Sequence, residues 1–200
     1  MSKPVAESCL RNQQPIAEVL ATLFAKSRRV LEIGSGTGQH AVFCAQRLPH
    51  LSWQPTELAE NLAGINAWIN DSSQINVQPA LELDIRWEDW PSETGYDAAF
   101  TANTVHYVGW SIVDAMFRGL SRALEQGAVL AIYGAFNRDG KFTSEGNREL
   151  DHWLQSRDPD SGLKDIEDIS QLAGKYGLVF QEEVAMPANN LILVFSRQTG

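Results

Sequence analysis

One short stretch near the start of the chain constrains its fold more than any other, namely VLEIGSGTGQH at positions 30–40. An apolar segment typical of a strand, 29–33, runs into three glycines on alternate positions and then into a helix-like sequence. Glycines at such a turn let the backbone bend sharply and let a ligand contact bare peptide groups. The start of the following helix adds free N–H donors and a partial positive charge. The stretch therefore predicts a nucleotide-type pocket.

The spacing of the glycines narrows the choice of nucleotide. They stand at 34, 36 and 38, and Gln39 occupies the place of the third glycine in the dinucleotide fingerprint G-x-G-x-x-G. The pattern G-x-x-x-x-G-K-[ST] does not occur, which excludes a P-loop. Glu32 stands two residues before the first glycine. A carboxylate there would repel a pyrophosphate but would suit an ammonium or a sulfonium group.

The pattern E-x-G-x-G-x-G resembles motif I of class I methyltransferases, which use S-adenosylmethionine (SAM). The resemblance implies that SAM is the cofactor. A glycine-rich turn that binds nothing is the alternative. The residues that the motif would place at the cofactor are Glu32, Gly34, Ser35, Gly36, Thr37 and Gly38.

Bulk properties indicate one globular domain and restrict the partners. The chain has 200 residues, 44% of them hydrophobic, and a formal net charge of −9, which argues against a nucleic-acid substrate. Residues 1–15 lack the apolar core of a signal peptide, and no run of about 18 apolar residues could span a membrane. We therefore expect a cytoplasmic protein with Cys9 and Cys44 reduced. The four histidines are too far apart to suggest a metal site.

Strands alternate with helices along most of the chain, which predicts a parallel, doubly wound sheet in one domain. Helices are expected at 15–24, 39–48, 59–70, 112–124 (with Gly127 as its C-cap), near 148–154 and at 166–176. Strands are expected at 29–33, 51–56, 76–83, 96–102, 129–133, 179–185 and 191–196. The short link at 186–190 can only join an antiparallel hairpin. Such a closing hairpin resembles the class I methyltransferase sheet, with strand order 3-2-1-4-5-7-6. Residues 1–27 would be an N-terminal helical segment and 137–177 an insertion before the hairpin.

Ligands of open α/β sheets bind beyond the carboxyl ends of the strands, so residues there are the candidate cofactor contacts. Glu57 follows Gly38 by 19 residues, close to the spacing of a carboxylate that binds ribose hydroxyls, and Leu58 would lie under the adenine. Asp84 could accept from the adenine amine while Ile85 packs on the ring. The alternative for Glu57 is an acid at a helix N-terminus that the helix dipole stabilises, and the alternative for Asp84 is a residue of an acidic loop with Glu88 and Asp89.

The fourth and fifth strands would end where the transferred methyl group meets its acceptor. Asn103 could hold the SAM amino group, and His106 is the candidate general base. Tyr133 could present its ring to a sulfonium. His40 is expected to be structural or to lie near the SAM carboxylate. A histidine that only hydrogen-bonds in its loop is the alternative for His106, and core packing is the alternative for Tyr133.

Further segments resemble an uncharacterised family of small, single-domain methyltransferase-like proteins. They are Arg11-Asn12 with Pro15-Ile16, LEIGSGTGQHA, WQPTE, NTVHYVGW, YGAFNRDGKFTSEGN, GLKD and MPANN. The chain has Glu57 where the family pattern has aspartate and Ala135 where it has proline. The resemblance implies SAM binding but no particular substrate. We expect Arg11, Asn12, Tyr133, Glu145 and Asn189 to face the acceptor.

These observations together predict an enzyme that transfers a methyl group from SAM to N, O or S of a small polar metabolite, with no metal. A SAM-binding regulator or partner protein without catalysis is the first alternative. An NAD-dependent oxidoreductase would share Glu57, but the glycine spacing and the hairpin speak against it. A protein or nucleic-acid methyltransferase is also possible, although the chain has no basic patch. The sequence does not indicate the oligomeric state.

Overall fold

A seven-stranded sheet forms the centre of the protein in the computed structural model, which describes residues 3–90 and 95–198. The strands are β1 Arg29–Ile33, β2 Ser52–Glu57, β3 Leu81–Glu82, β4 Tyr96–Ala102, β5 Leu124–Gly134, β6 Leu178–Met186 and β7 Asn190–Arg197. Their order is β3-β2-β1-β4-β5-β7-β6, and β7 runs antiparallel to both of its neighbours. The predicted sheet order and the antiparallel last strand are confirmed.

Helices cover both faces of this sheet, which buries most residues of the inner strands β1 and β4 on both sides. They are α1 Glu7–Leu23, α2 Gln39–Arg47, α3 Leu62–Asp71, α4 Thr104–Tyr107, α5 Trp110–Ala123, α6 Glu145–Arg157 and α7 Ile166–Gly174. One core layer joins α5 and α7 to the sheet through residues such as Phe117 and Ile169. The other joins α1 and α2 through residues such as Leu20 and Cys44. Within the described ranges, no helix has the length and hydropathy needed to cross a membrane.

The third strand is much shorter than the predicted 76–83. Val77 makes only an isolated bridge with Trp53, and regular pairing begins at Leu81. Pro79 lies between them and has no N–H to donate to a ladder. The Asn76 side chain instead donates to carbonyls at the end of α2 and in the loop after it, at 3.0 Å to that of Ala45 and 2.9 Å to that of Leu51. The apolar pattern of residues 76–83 therefore does not show where regular pairing of β3 with β2 begins.

The junction between α5 and β5 also differs from the prediction. The helix ends at Ala123 and Leu124 enters the strand directly, so Gly127 is not a helix cap. Gly127 has φ +80° inside β5, where the register against β4 shifts. Helices α1 and α6 are longer than predicted, the predicted helix at 59–70 is a 3-10 turn followed by α3, and α4 was not predicted.

The first turn of α2 is fixed by contact between the glycine loop and α3. Gly38 is the N-cap of α2 with φ +86°, and a Cβ on it would lie 2.9 Å from the Ile65 Cα atom. Only glycine combines that backbone conformation with that approach. Thus α3 limits where the loop and the helix start can lie.

The substitution Gly38→Ala should destabilise the protein by more than about 2 kcal/mol, because it adds a backbone clash to the cost of a left-handed alanine. Gly140→Ala is the matched control, since Gly140 has φ +69° but no heavy atom within 4 Å of its Cβ position. It should cost about 1 kcal/mol, from the backbone conformation alone. Urea unfolding of both variants measures the difference. Equal losses would show that α3 does not restrain the loop.

Candidate cofactor site

A cavity of about 530 Å³ opens at the carboxyl ends of β1 to β4. Sheets of this type bind ligands in that position, beside the switch in strand order. Its walls come from four loops and from the start of α5, and they are lined by Gly34, Gly36, Glu57, Leu58, Leu83, Asp84, Ile85, Arg86, Ala102, Asn103, Thr104, Tyr107, Val108 and Ile112. The structure therefore brings together Gly34, Gly36, Glu57, Leu58, Asp84, Ile85 and Asn103 from the predicted cofactor residues.

The glycine loop presents bare backbone to this cavity. Gly36 has φ +57°, and no heavy atom lies within 4 Å of the position of its missing Cβ. At Gly34 a Cβ would lie 2.6 Å from Thr104 Oγ1, so that glycine serves packing. Ser35 secures the loop to β2, since its N–H donates to the Thr56 carbonyl at 3.0 Å and its Oγ accepts from the Thr56 N–H at 3.2 Å. Ser35 thus has a structural role, and Gly36 is the open point.

Glu57, the last residue of β2, lies across the loop from Gly36. Its Oε2 accepts a hydrogen bond from the Gly36 N–H at 2.8 Å, and its Oε1 accepts from the Leu58 N–H at 2.9 Å. The carboxylate is thereby oriented at the cavity wall beside the open peptide. This position agrees with the one that the sequence predicts for a group binding ribose hydroxyls.

Asp84 lines the cavity after β3, but its carboxylate already has a partner. The Arg86 Nε donates to both Asp84 oxygens, at 2.9 and 3.0 Å, and the Arg86 N–H donates at 2.9 Å. The Arg86 side chain lowers the pKa of the Asp84 carboxyl. An adenine amine at this point would therefore share an acceptor that Arg86 holds in place. The sequence analysis missed Arg86, although it stands two residues beyond a predicted contact.

Asn103 joins β4 to the short helix α4 in a left-handed conformation, with φ +64°. Asparagine tolerates this conformation better than most residues, and such strain is typical of functional sites. Its N–H donates to the Tyr133 carbonyl at 2.8 Å, which ties the cavity edge to the end of β5. Thr104, also missed by the sequence analysis, fixes the next turn because its hydroxyl lies 2.8 Å from Thr101 Oγ1.

Glu32 lies beneath the loop rather than in the cavity wall. The Trp53 indole N–H donates to Glu32 Oε2 at 2.9 Å, and the side chain is fully buried. Burial raises the pKa of Glu32 to about 7, although hydrogen bonds from Trp53 and Ser35 oppose the shift. Glu32 is therefore part of the support of the loop, and it is not among the residues that line the cavity.

His106 is buried in α4, next to the cavity residue Tyr107 but not among the lining residues. Its Nδ1 lies 3.4 Å from where a Gly134 Cβ would be, on the face of β5 that packs against α5 and α7. Burial, followed by the positive charge of Lys164, lowers its pKa to about 4. The imidazole is therefore neutral at pH 7, and it could accept a proton only as a weak base.

Three other predicted residues meet on the opposite face of the sheet, against α1. His40 Nε2 lies 2.8 Å from Asn12 Oδ1, and Asn12 also hydrogen-bonds the Tyr133 hydroxyl. Cys9, which the sequence analysis treated only as a reduced thiol, places its Sγ 3.8 Å from His40 Nδ1. We call Cys9, Asn12, His40 and Tyr133 the α1–α2 polar cluster. Arg11 is exposed next to it on α1.

Glu145 and Asn189 lie together elsewhere, around the start of α6. The Asn189 amide donates to Thr143 Oγ1 at 2.7 Å and to Ser144 Oγ at 3.2 Å. Glu145 is exposed and paired with Arg148. Neither is among the cavity-lining residues. Thr37, the remaining predicted cofactor residue, bonds Gln39 Oε1 through its hydroxyl at 3.0 Å and is not in the lining either.

A family model covers nearly the whole chain. It is described as "Protein of unknown function (DUF938)" and matches residues 3–197. The chain belongs to this family. The match includes the glycine loop, the carboxyl ends of the strands, the α1–α2 polar cluster and the terminal hairpin.

Solved structures with a similar fold are methyltransferases. An O-methyltransferase family protein from Burkholderia thailandensis has a TM-score of 0.82 at 17% identity, covering 97% of this chain and 58% of its own. The mitomycin 7-O-methyltransferase has a TM-score of 0.84 at 16% identity, covering 95% and 54%. Human N-acetylserotonin methyltransferase, solved in complex with SAM, has a TM-score of 0.74 at 13% identity, covering 94% and 55%. The chain thus has the class I methyltransferase fold and spans little more than half the length of these proteins.

The pKa of Glu32 implies a measurable pH dependence of stability. Because its folded-state pKa of about 7 exceeds the ordinary 4.5, the folded state holds the proton more tightly. Stability from this group is therefore full below pH ~4.5 and declines by about 3 kcal/mol as the pH rises to ~7. Glu32→Gln should remove that decline.

The measurement is the free energy of unfolding of Glu32→Gln minus that of the wild type, followed from pH 4.5 to 7. Subtraction removes the opposite effect of His40 and His106, whose lowered pKa values act in both proteins. The exposed Glu60 provides the control substitution Glu60→Gln. A difference that stays constant over this pH range would contradict the assignment of a protonated Glu32.

Proposed function

We propose that this protein transfers a methyl group from SAM to N, O or S of a small polar metabolite. The observation that carries the proposal is the pairing of Gly36 and Glu57, open backbone and oriented carboxylate, at the carboxyl edge of the sheet. An adenosine moiety fits this chemistry, because its ribose offers two hydroxyls as hydrogen-bond donors and its base offers a flat face. The class I methyltransferase fold supports the same reading.

The apolar part of the cavity supports an adenine-sized ligand. Its lining includes the apolar side chains of Leu58, Leu83, Ile85, Val108 and Ile112. Small-molecule sites are typically of this size, mainly apolar, with a few convergent polar groups. SAM would be held by Glu57 at its ribose, with Asp84 and Arg86 near the base and Asn103 towards its methionyl part.

NAD is a poorer candidate for the same cavity. Gln39, where the dinucleotide fingerprint has its third glycine, is buried as the first residue of α2. Glu57, the acid at the cavity wall beside Gly36, would repel a pyrophosphate, whereas a sulfonium suits it. A plain dinucleotide-binding domain would also not need the antiparallel hairpin.

The bound donor would supply an already activated methyl group, so the protein needs mainly to align the two reactants. Alignment and exclusion of water contribute roughly 7–11 kcal/mol in well-oriented systems. Gly36 and Glu57 would fix the donor end. A general base would add ~10²–10⁴-fold where the acceptor must lose a proton, and His106 remains the candidate. Its burial keeps it neutral, and the pKa of about 4 makes it a weak base.

A SAM-binding protein without catalysis is the second candidate function. The strained Asn103, held at the cavity edge by Tyr133, favours an enzyme, because strain of this kind is retained where positioning matters. Release of S-adenosylhomocysteine from SAM, screened over a pool of small metabolites, separates the two. Turnover with some acceptor supports the enzyme, and binding without any turnover supports the regulator.

Calorimetry with SAM, S-adenosylhomocysteine and NAD tests the cofactor directly. We expect both adenosyl compounds to bind and NAD to show no measurable heat. Glu57→Ala should lower the affinity for SAM by roughly 10–100-fold, because it removes charge-assisted hydrogen bonds to the ribose. The matched control is Glu60→Ala, which removes an exposed acid outside the cavity and should leave the affinity unchanged. Absence of SAM binding by the folded wild type would overturn the proposed function.

A further inference from the structure

Two exposed aromatic rings meet at the edge of the cofactor cavity. Tyr107, the last residue of α4, lines the cavity and is 51% exposed. Trp153 of α6 is 45% exposed, and its ring centroid lies 6.2 Å from that of Tyr107, with the two ring planes at 88°. We call these two side chains the Tyr107–Trp153 corner. A flat ring that lies against one of them has the other at right angles to it, and aromatic rings pair favourably in both of these arrangements.

Contacts behind the corner hold both of its rings in place. The Arg157 guanidinium, one helical turn after Trp153, lies 4.9 Å from the centroid of the Trp153 ring. The Tyr107 ring lies 5.1 Å from that of the buried His106, centroid to centroid. The short helix α4 is itself tied down, because the Gly162 N–H donates to the His106 carbonyl at 2.9 Å. Side chains restrained in this way lose little freedom when a ligand binds, which favours affinity.

The surroundings of the corner fit a small ligand better than a protein partner. Trp153 is the one large hydrophobic side chain that α6, all of which the structure describes, leaves exposed. A docked helix or strand would need apolar positions that repeat along the face of α6. Through Tyr107 the corner is instead continuous with the cavity of about 530 Å³. A ligand on the corner would therefore lie at the rim of that cavity.

The corner also lies where the proposed function requires the methyl acceptor. Tyr107 follows Asn103, the residue placed towards the methionyl part of SAM, by four positions, and His106, the candidate base, is its neighbour. Because burial lowers the pKa of His106 to about 4, this base suits an acceptor that ionises readily. A hydroxyl on an aromatic ring does so, with a pKa of about 10 as in tyrosine, against about 15.7 for water.

We propose that the Tyr107–Trp153 corner is the acceptor subsite, and that it takes a small planar aromatic compound with a hydroxyl on its ring. The ring of this acceptor stacks on Tyr107 and meets Trp153 at its edge. In the transfer, a lone pair of the hydroxyl oxygen bonds to the methyl carbon, the C–S bond breaks with its electron pair on sulfur, and the hydroxyl proton passes to solvent or to His106. The inference rests on the proposed function, whose substrate class it names, but binding to the corner can be measured without SAM.

Paired probes test whether the corner prefers aromatic rings. The pairs are 4-hydroxybenzamide with trans-4-hydroxycyclohexanecarboxamide, and 2-naphthol with decahydro-2-naphthol, so that each pair differs in the flat ring and keeps the hydroxyl. We expect the aromatic member to bind about three- to tenfold more tightly in ligand-observed NMR titrations. Burial of apolar area alone would favour the saturated member, which has the larger surface. Equal or weaker binding of the aromatic member in either pair would overturn the inference.

Substitutions at the two rings test the contacts themselves. Tyr107→Leu and Trp153→Leu should each lower the affinity ratio within a pair by at least about twofold, whereas Tyr107→Phe keeps a ring and should preserve the ratio. The control is Phe142→Leu, since Phe142 is also an exposed aromatic residue but packs against His152 and does not line the cavity. A ratio that either leucine variant leaves unchanged, or that falls equally in Phe142→Leu, would contradict the subsite.

Calorimetry separates this inference from the proposed function. Trp153 is not among the residues that line the cavity, so Trp153→Leu should bind SAM like the wild type while its preference for aromatic probes falls. A wild type that binds no SAM but keeps the aromatic preference would overturn the cofactor assignment and not the subsite. SAM binding without an aromatic preference would overturn the subsite and not the cofactor. Cooperative urea unfolding of each variant shows that it is folded before it is scored.

Discussion

The turn from β1 into α2 is the constraint on which the rest of the site depends. Ser35 holds this turn by two hydrogen bonds to Thr56 of β2, and Gly38 packs closely against Ile65 of α3, so the loop has little freedom to move. Of the three loop glycines only Gly36 has open space at its Cβ position, so a ligand can approach the loop most closely there. The same turn sets the start of α2 and therefore the position of His40. One backbone bend thus places both the cavity and the α1–α2 polar cluster.

Much of the frame was predictable because its signals are local. Strands β4 and β1 occur with the predicted bounds, 96–102 and 29–33, because both are mostly apolar segments that the sheet buries. Glu57 could be placed because a carboxylate at the end of β2 follows from topology. The bounds of β3 could not be predicted, since Pro79 interrupts strand pairing but leaves the apolar pattern intact. The apolar pattern of a sequence indicates which residues are buried. Strand pairing also needs backbone N–H donors, and a proline has none.

The contacts that define the site were harder to predict, because they join residues that are distant in sequence. Asn12 and His40 are separated by 28 positions and meet only because α1 packs on α2. Nothing around Cys9 marks it in the sequence, and only the fold places its Sγ 3.8 Å from His40 Nδ1. Glu32 illustrates the converse, since its motif suggests ligand contact while its side chain turns beneath the loop towards Trp53. A motif locates a backbone, and packing decides which way each side chain points.

The charges around the loop favour a cationic ligand over an anionic one. His40 and His106 are both neutral at pH 7 because burial disfavours their charged forms. Arg86, the one cation among the described residues of the cavity lining, is neutralised by Asp84. Glu57 therefore remains as the uncompensated charge at the open peptide. A diphosphate there would meet a like charge without a counterion, whereas a sulfonium would meet an opposite one in a partly desolvated cavity, where the attraction is stronger than in water.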